Sequence, residues 1–324
     1  MIRRPIVVVG SIAYDRIFDF PGRFAEVILP EKVHLLNVSF TVDQIQESFG
    51  GTAGNIAYTL RLFGVPTALV GSVGHDFAAY RVKLSRQRVD LGAVQTVSGR
   101  ATAAAYMITD RDDNQISAFQ LGALAVPAVA QAAARHRLRR AAYAVLSPGN
   151  PKDMVLAAQQ LVRFRVPYLF DPGQTLPVLS AAQLRALVRQ ADGFISNDYE
   201  LDLMIKRSGW PRSRLEKLVR YLVTTFGAKG SVVRHGSHQI HIPIARPRAI
   251  VDPTGAGDAY RAGLIAGLVS GQSLITAAKM GAVASVYTVE RRGTQTHRFS
   301  RSEFSKRFRA NFRQPLTLGS KGFS

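Results

Sequence analysis

None of the 324 residues of the chain is cysteine. This absence excludes disulfide bonds, thiolate metal sites and a cysteine nucleophile. Long apolar runs are also missing, and no stretch approaches the roughly 20 residues of a membrane-spanning helix. The apolar run near the N-terminus is shorter than the core of a signal peptide and stops at Gly10, which is typical of a first β-strand. We therefore expect a cytoplasmic protein with no membrane-spanning segment.

Acidic residues are scarce as well. The 22 Asp and Glu residues face 42 Lys and Arg residues, which gives a formal net charge of +20. A positive field of this size favours anionic ligands and weak, non-specific binding to nucleic acid. The basic residues are dispersed, however, over segments that mostly show apolar residues at helical spacing, so we expect solvated helix faces. Neither zinc-finger spacing nor a basic stretch interleaved with aromatic residues is present.

Short apolar segments alternate with helical segments from about residue 126 onward. Strands are predicted at 142–146, 168–170, 194–196 and 221–224, and helices around 154–163, 181–189 and 199–206. Short apolar strands separated by helices predict an α/β fold, with a mostly parallel sheet covered by helices.

The first part of the chain differs from the rest. A strand at 6–9 and a helix from Thr52 to about Phe63 are predicted, and the helix should end at Gly64. The segments 33–36 and 38–40 are β-prone but short, and the turn at 110–114 predicts a hairpin. We expect one domain, 1–324, with a small β-lid formed by segments of about 15–48 and 100–120.

The strongest local pattern is the segment 251–268, VDPTGAGDAYRAGLIAGL. Gly255, Ala256 and Gly257 leave their backbone N–H groups open to an anion at the start of a helix, where the macrodipole also favours negative charge. Asp258 stands in the first helical turn and could accept a proton from an attacking hydroxyl group. The alternative is an acid that only satisfies the helix terminus. No Gly-Lys-Ser/Thr sequence follows, so this is not a Walker loop.

A second glycine-rich turn precedes the helix predicted at Thr52. Gly50 and Gly51 permit close backbone approach, and the side chain of Asn55 in the first turns suits the recognition of hydroxyl groups. Paired glycines before a helix are also common in ordinary tight turns, so this segment alone decides nothing.

Together the two segments resemble the signatures of the ribokinase family of carbohydrate and nucleoside kinases, also called the PfkB family. The resemblance spans nearly the whole chain, and five matches occur in the family's order. They are VVVGSIAYD (7–15), which looks like the family's first strand ending in the substrate-binding acid Asp15, then GGTAGN (50–55), NDYE (197–200), TFGAKG (225–230) and DPTGAGDAYRAG (252–263). Three of these matches could also have a purely structural role: Asp15 could form a turn, Asn197 and Glu200 could form a capping box, and 225–230 could be an ordinary hairpin turn.

The resemblance implies a ribokinase-like α/β sandwich and an ATP-dependent kinase. Asp258 would be the catalytic base, and the amides of Gly255, Ala256 and Gly257 would stabilise the transferred phosphoryl group. An unperturbed aspartate has a pKa of about 3.9 and is a weak base, so proton transfer should come late. The resemblance also implies that substrate hydroxyl groups are bound by Asp15, Gly50, Gly51 and Asn55, and that Mg²⁺ is bound, mostly through water, by Asn197 and Glu200. The implied nucleotide-binding residues are Asn197, Thr225, Gly227, Gly230 and Ala282. The loop 292–295 would lie near the ATP base, and a K⁺ site would lie at that loop with Asp252.

Departures from the family pattern narrow the expected substrate. Many sugar kinases of the family have a D-x-N-x-R element, whereas this chain has FDPGQ at 170–174. Together with RDDNQIS and VERRGTQTHRFS, this segment looks more like prokaryotic nucleoside kinases that accept adenosine and related purines. We expect phosphorylation of the 5′-hydroxyl of a purine nucleoside, with Phe40, Met107 and Phe119 near the base. The alternatives are a kinase for ribose or fructose and a nucleic-acid-binding protein on a kinase fold. The sequence is compatible with a monomer or a homodimer.

Overall fold

The computed structural model describes residues 4–35, 37–112 and 114–318. Its strands are β1 (Ile6–Val9), β2 (Ala13–Asp19), β3 (Gln44–Gly50), β4 (Thr67–Val73), β5 (Asp90–Thr96), β6 (Ala103–Thr109), β7 (Gln115–Gln120), β8 (Tyr143–Leu146), β9 (Tyr168–Phe170), β10 (Gly193–Asn197), β11 (Tyr221–Thr225), β12 (Ser231–His235) and β13 (His238–Ile242). Its α-helices are α1 (Phe24–Val27), α2 (Thr52–Leu62), α3 (Ala78–Arg86), α4 (Ala132–Arg140), α5 (Pro151–Arg163), α6 (Ala181–Arg189), α7 (Asp198–Ser208), α8 (Arg212–Leu218), α9 (Ala256–Val269), α10 (Leu274–Val289) and α11 (Arg301–Phe312).

Nine strands form a large sheet in the order β13-β12-β11-β10-β9-β8-β1-β4-β5. Strands β12 and β13 are antiparallel to their neighbours, and all other pairs are parallel. The interior strand β1 shows that both faces are covered, because Ile6 and Val8 enter one apolar cluster while Val7 and Val9 enter the other. A strand that is apolar at every position is what a parallel sheet buried on both faces requires. The expected α/β fold with a mostly parallel, helix-covered sheet is confirmed.

A separate four-stranded sheet has the order β3-β2-β6-β7. Its strands β6 and β7 form the hairpin predicted at 110–114, and the Asp110 carboxylate accepts hydrogen bonds from the backbone N–H groups of Asp112 and Asn114. Asp113 lies outside the described residues. The two segments expected to form a lid, about 15–48 and 100–120, contribute these four strands.

Two local expectations for this region are wrong. The β-prone segment 33–36 enters a 3₁₀ helix, Pro30–Leu35, and its last residue lies outside the described part of the chain. The segment 38–40 forms no strand, because Phe40 turns inward and packs its ring against Phe20 and Phe24, with centroid distances of 5.1 and 5.2 Å. Local aromatic packing has overridden the strand propensity of these residues.

The position of Asp15 also differs from the expectation. Strand β1 ends at Val9, and Asp15 is the third residue of β2, in the small sheet. The chain crosses between the sheets at residues 10–12, where the Ser11 N–H donates to the carbonyl of Pro148. Asp15 is therefore held by the small sheet and does not lie at the end of a strand of the large sheet. None of the helices in the described part of the chain has both the length and the apolar character needed to span a bilayer.

Candidate active site

A cavity of about 320 Å³ lies between the small sheet and the carboxyl ends of β1, β8, β9 and β10. In parallel α/β sheets, this edge is where ligands bind. The predicted site residues that line the cavity are Asp15, Gly51, Asn55, Phe119, Glu200, Gly255, Gly257 and Asp258. The lining does not include Gly50, Ala256, Asn197, Thr225, Gly227, Gly230, Ala282 or Asp252.

The start of α9 has the geometry of an anion cradle. Gly255 is the N-cap residue with φ of 77°, a left-handed conformation that favours glycine. The N–H groups of Gly257 and Asp258 have no backbone hydrogen-bond partner within the described part of the chain. The N–H of Ala256 donates to the carbonyl of Pro253 at 3.2 Å, so it already serves the turn. The N–H of the N-cap residue Gly255 also has no backbone hydrogen-bond partner among the described residues, so three amides remain for a ligand, reinforced by the helix dipole.

The carboxylate of Asp258 is held from the side of α2. Its Oδ2 accepts a hydrogen bond of 2.8 Å from the side-chain amide of Asn55. Burial raises the pKa of Asp258 to about 6, whereas the charge of Arg261 and the Asn55 hydrogen bond oppose this shift. The expectation of an ordinary aspartate pKa is therefore wrong, since sequence could not show the burial. A base with this pKa is stronger and is still mostly ionised at pH 7.

Asp15 faces Asp258 across the cavity from the small sheet. Burial raises the pKa of Asp15 to about 6, and the negative charge of Asp252 adds to the shift. A Cβ atom at Gly50 would lie 2.2 Å from Oδ2 of Asp15, so only glycine leaves room for this carboxylate. Gly50 thus acts through Asp15, although it does not itself line the cavity.

The register of the small sheet aligns several residues on the face toward the cavity. Asp15 lies opposite Ala105, and Ala105 lies opposite Phe119. Met107 is two residues further along β6, on the same face, and also lines the cavity. Phe119 is 49% exposed, which leaves an aromatic surface free at the cavity mouth. Phe40, the third residue expected near the base, does not line the cavity.

Sequence reasoning missed a buried ion pair in this cavity. Arg261, on α9, donates from an Nη atom to Oδ1 of Asp171 at 2.7 Å, and its Nε contacts the second carboxylate oxygen. Burial raises the pKa of Asp171 to about 7, and Arg261 opposes that rise. The carboxylates of Asp171, Asp258 and Glu200 outweigh the effect of burial on Arg261, so the pKa of the guanidinium is raised and it stays charged. The i, i+3 spacing of Asp258 and Arg261 was the available signal, since it places both on one helix face.

Gln295 is a second missed residue. It is 3% exposed, and its side-chain amide donates to Oδ1 of Asn55 at 2.9 Å and to the hydroxyl of Tyr80. The loop 292–295 was expected near the ATP base, but this contact places Gln295 on the Asn55 side of the site. Asn55 therefore has both ends of its amide engaged, one by Gln295 and the other by Asp258.

The residues expected at the nucleotide lie on neighbouring elements. Asn197 and Thr225 are partners in the sheet register, at the carboxyl ends of β10 and β11. Asn197 and Glu200 form a capping box at α7, which is the structural role that the sequence left open for them. Glu200 also lines the cavity. Gly227 and Gly230 belong to the hairpin between β11 and β12. Ala282, on α10, is 8% exposed and belongs to the apolar core cluster that also contains Val223 of β11.

The donor set of the cavity suits a Mg²⁺ ion that keeps most of its water ligands. No group of three or more His, Asp and Glu side chains that could hold a metal directly occurs among the described residues. The cavity nevertheless has four carboxylates, on Asp15, Asp171, Glu200 and Asp258, and Arg261 is the one cation among its lining residues that the structure describes. Hard oxygen donors bound mostly through water are the usual environment of Mg²⁺ beside phosphates.

Asp252, the residue expected at a K⁺ site, orders the loops on either side of it. Its two carboxylate oxygens accept the backbone N–H groups of Thr254 and Gly293, each at 2.9 Å.

Residues 4–299 match the sequence family described as pfkB family carbohydrate kinase. The chain therefore belongs to this family. It is a phosphotransferase that acts on hydroxyl groups, and its fold is that of the ribokinase-like kinases.

Particular members of the family are similar over almost the entire length. A nucleoside kinase of Methanothermobacter thermautotrophicus is 31% identical over 95% of this chain and 97% of its own. A nucleoside kinase of Methanocaldococcus jannaschii is 28% identical over 90% of this chain and 92% of its own. The structure of a Burkholderia thailandensis nucleoside kinase in complex with ADP-inosine is 34% identical, covers 98% of this chain and 99% of its own, and superposes with a TM-score of 0.82.

Proposed function

We propose that the chain is an ATP-dependent, Mg²⁺-requiring nucleoside kinase that phosphorylates the 5′-hydroxyl of a purine nucleoside. The observation that carries the proposal is the single cavity that joins Asp15 on β2 to Asp258 at the N-terminus of α9. One acid is placed to hold substrate hydroxyls, and the other lies beside free backbone amides. The similarity to nucleoside kinases, one of them solved with ADP-inosine, supports both the nucleotide and the purine assignment.

In this mechanism, Asp258 accepts the proton of the 5′-hydroxyl while that oxygen attacks the γ-phosphorus of ATP. The N–H groups of Gly255, Gly257 and Asp258 stabilise the charge on the transferred group, together with the helix dipole. Asn55 holds the Asp258 carboxylate in place through its 2.8 Å hydrogen bond. Positioning and electrostatics supply most of the catalysis, as is general for phosphoryl transfer.

The ribose would be held by Asp15 with the backbone at Gly51, while Gly50 would leave room for the Asp15 carboxylate. Since a buried site that binds hydroxyl groups rejects analogues without them, we expect discrimination against 2′-deoxynucleosides. The base would lie under the small sheet, against Met107 and Phe119. We propose that this sheet is the lid of a single domain and that its closure excludes water.

The charge of the cavity supports the Mg²⁺ assignment. Four carboxylates face one guanidinium, so a triphosphate entering here needs an additional cation. Glu200 and Asn197 would hold Mg²⁺ mostly through water, and Mg²⁺ would neutralise phosphate charge. The nucleotide would be bordered by Thr225, Gly227 and Gly230, and Ala282 would also contact it. We also propose a K⁺ site at Asp252. The Asp252 carboxylate orders the loop 292–295 through the N–H of Gly293, and backbone oxygens of this loop would bind the ion.

A substrate panel tests the proposal. ADP formation is measured with ATP and Mg²⁺ for adenosine, inosine, 2′-deoxyadenosine, cytidine, ribose and fructose, with and without K⁺. We expect adenosine or inosine to give the highest kcat/KM, and 2′-deoxyadenosine to be at least tenfold poorer. Preference for ribose or fructose would establish the sugar-kinase alternative. Equal turnover of adenosine and 2′-deoxyadenosine would refute the ribose assignment.

The wall of the base pocket has its own test. Phe119→Ala should raise KM for the nucleoside several-fold and leave KM for ATP unchanged. Ile116→Ala is the matched control, because Ile116 is on the same strand, 43% exposed, and at alternate register, so it faces away from the cavity. Equal effects of the two variants would show that Phe119 does not contact the base.

A further inference from the structure

A second cavity, of about 530 Å³, lies between the C-terminal part of α10, helix α11 and the segment 246–248. It shares no lining residue with the cavity of the candidate active site. Its volume is within the range of small-molecule binding sites. Six of its lining residues are basic and two are acidic, which leaves a local excess of four positive charges: the residues are Arg246, Arg248, Arg291, Arg298, Lys306, Arg307, Glu290 and Glu303.

Both acidic residues are already engaged in the fold. The carboxylate of Glu290 contacts two Nη atoms of Arg307, one of them at 2.8 Å, and also accepts the backbone N–H of Arg248. The carboxylate of Glu303 accepts the N–H of Ser300 at 2.7 Å, in the capping box of α11. Glu290 and Arg307 therefore form a neutralised floor, and the one remaining acid, Glu303, interacts with the charges of Lys306 and Arg248 but still leaves the cavity with an excess of four positive charges.

The rim consists of the other five basic residues, Arg246, Arg248, Arg291, Arg298 and Lys306, and all five are exposed. None of these side chains forms an ion pair with a carboxylate in the part of the chain that the structure describes. Like charges gathered around one concavity repel each other, and a multivalent anion relieves that repulsion. Arginine forks are also well matched to phosphate oxygens.

We propose that this cavity binds a phosphorylated small molecule that carries at least two phosphate groups, such as a nucleoside diphosphate or triphosphate. Several phosphate oxygens are needed to engage five cations from three separate segments. The concave shape and closed floor favour a small ligand, whereas a nucleic acid backbone needs an extended basic track. The site does not depend on the proposed function, because it shares no residue with the catalytic cavity.

Tripolyphosphate is the probe that tests the site, with binding measured by titration calorimetry at low salt. The test variant combines Arg246→Gln, Arg248→Gln and Lys306→Gln. The matched control combines Arg135→Gln, Arg139→Gln and Arg140→Gln, which removes three exposed positive charges from α4, remote in sequence from the cavity. Glu290 and Arg307 are left intact, and thermal unfolding of both variants checks the fold.

We expect the test variant to lose at least tenfold in affinity for tripolyphosphate at one site, while the control variant retains the affinity of the wild type. A second test variant, Arg291→Gln with Arg298→Gln, should show the same loss. Unchanged binding in both test variants would overturn the proposal, since the probe would then occupy the cradle at α9 alone. An equal loss in the control would also overturn it, by showing a general effect of net charge. The proposal would also be overturned if the wild type bound a short DNA duplex tightly but not tripolyphosphate, and only the test variants lost the binding of DNA.

Discussion

The side-chain amide of Asn55 donates a hydrogen bond to Oδ2 of Asp258 over 2.8 Å, although the two residues are 203 positions apart in the sequence. Asn55 is fixed in turn by Gln295, whose amide donates to its Oδ1 at 2.9 Å. The two glycine-rich segments are thus joined directly at the proposed catalytic base. An aspartate held by this chain of amides keeps one orientation toward the cavity, which is what a positioned base requires.

The buried carboxylates predict an acid limit to activity. The pKa values of Asp258 and Asp15 are both raised to about 6, chiefly by burial. Because the ionised forms accept a proton and bind hydroxyls, kcat/KM should be full above pH 7 and fall as the pH drops through 6. Because these two groups bind protons more tightly in the folded state, their protonation raises the free energy of unfolding as the pH falls through 6, so the loss of activity does not come from unfolding at these two groups. A pH–rate profile of the free enzyme's kcat/KM, flat down to pH 5, would contradict this assignment.

The contact between Gly50 and Asp15 predicts a narrow steric requirement. In Gly50→Ala, the added Cβ would lie 2.2 Å from Oδ2 of Asp15, so the carboxylate must move. We expect KM for the nucleoside to rise at least tenfold with KM for ATP little changed. Gly236→Ala is the control: nothing lies within 4 Å of the added methyl group there, and its left-handed φ of 58° should cost some stability but leave nucleoside kinetics unchanged. Wild-type nucleoside kinetics in Gly50→Ala would remove Asp15 from the binding site.

The ion pair of Arg261 with Asp171 predicts a stability effect and a catalytic effect. Arg261→Gln leaves a buried carboxylate without its partner, which should cost about 3–5 kcal/mol of unfolding free energy. The double variant Arg261→Gln with Asp171→Asn should recover most of this loss, as urea unfolding would show.

The catalytic effect of Arg261 is separate from its effect on stability. Arg261 opposes the rise in the pKa of Asp258, so its removal should move the acid limb of the pH–rate profile to higher pH. The double variant should retain the shifted limb despite its restored stability. If the limb stays in place in both variants, Arg261 has only a structural role.

Much of the large sheet and the glycine signatures could be predicted from the sequence. Strands such as β1 and β8 are continuous apolar runs, and burial on both faces leaves that pattern in the sequence. The start of α9 was predictable because its determinants, Gly255 to Asp258, are adjacent residues. The strands β2 and β3 were not recognised, since AYDRIFD and QIQESFG mix polar and apolar residues on a half-exposed sheet.

Other features of the site depend on distant contacts. Arg261 and Asp171 are 90 positions apart, and Gln295 and Asn55 are 240 apart, so no local pattern links them. The pKa of Asp258 depends on burial under several elements and could not be inferred from its neighbours in sequence. Sequence therefore predicted residue types at the site, whereas the structure was needed to show which residues hold them in place.

The measurement that tests the central claim most directly is single-turnover transfer of the γ-phosphate from ATP to adenosine by Asp258→Asn. Loss of a positioned base should slow the transfer by about 10²–10⁴-fold, with adenosine and ATP binding within a few-fold of the wild type. Asp202→Asn, at an exposed position of α7, makes the same change of charge and should leave the rate unchanged. Transfer by Asp258→Asn within twofold of the wild-type rate would contradict the account.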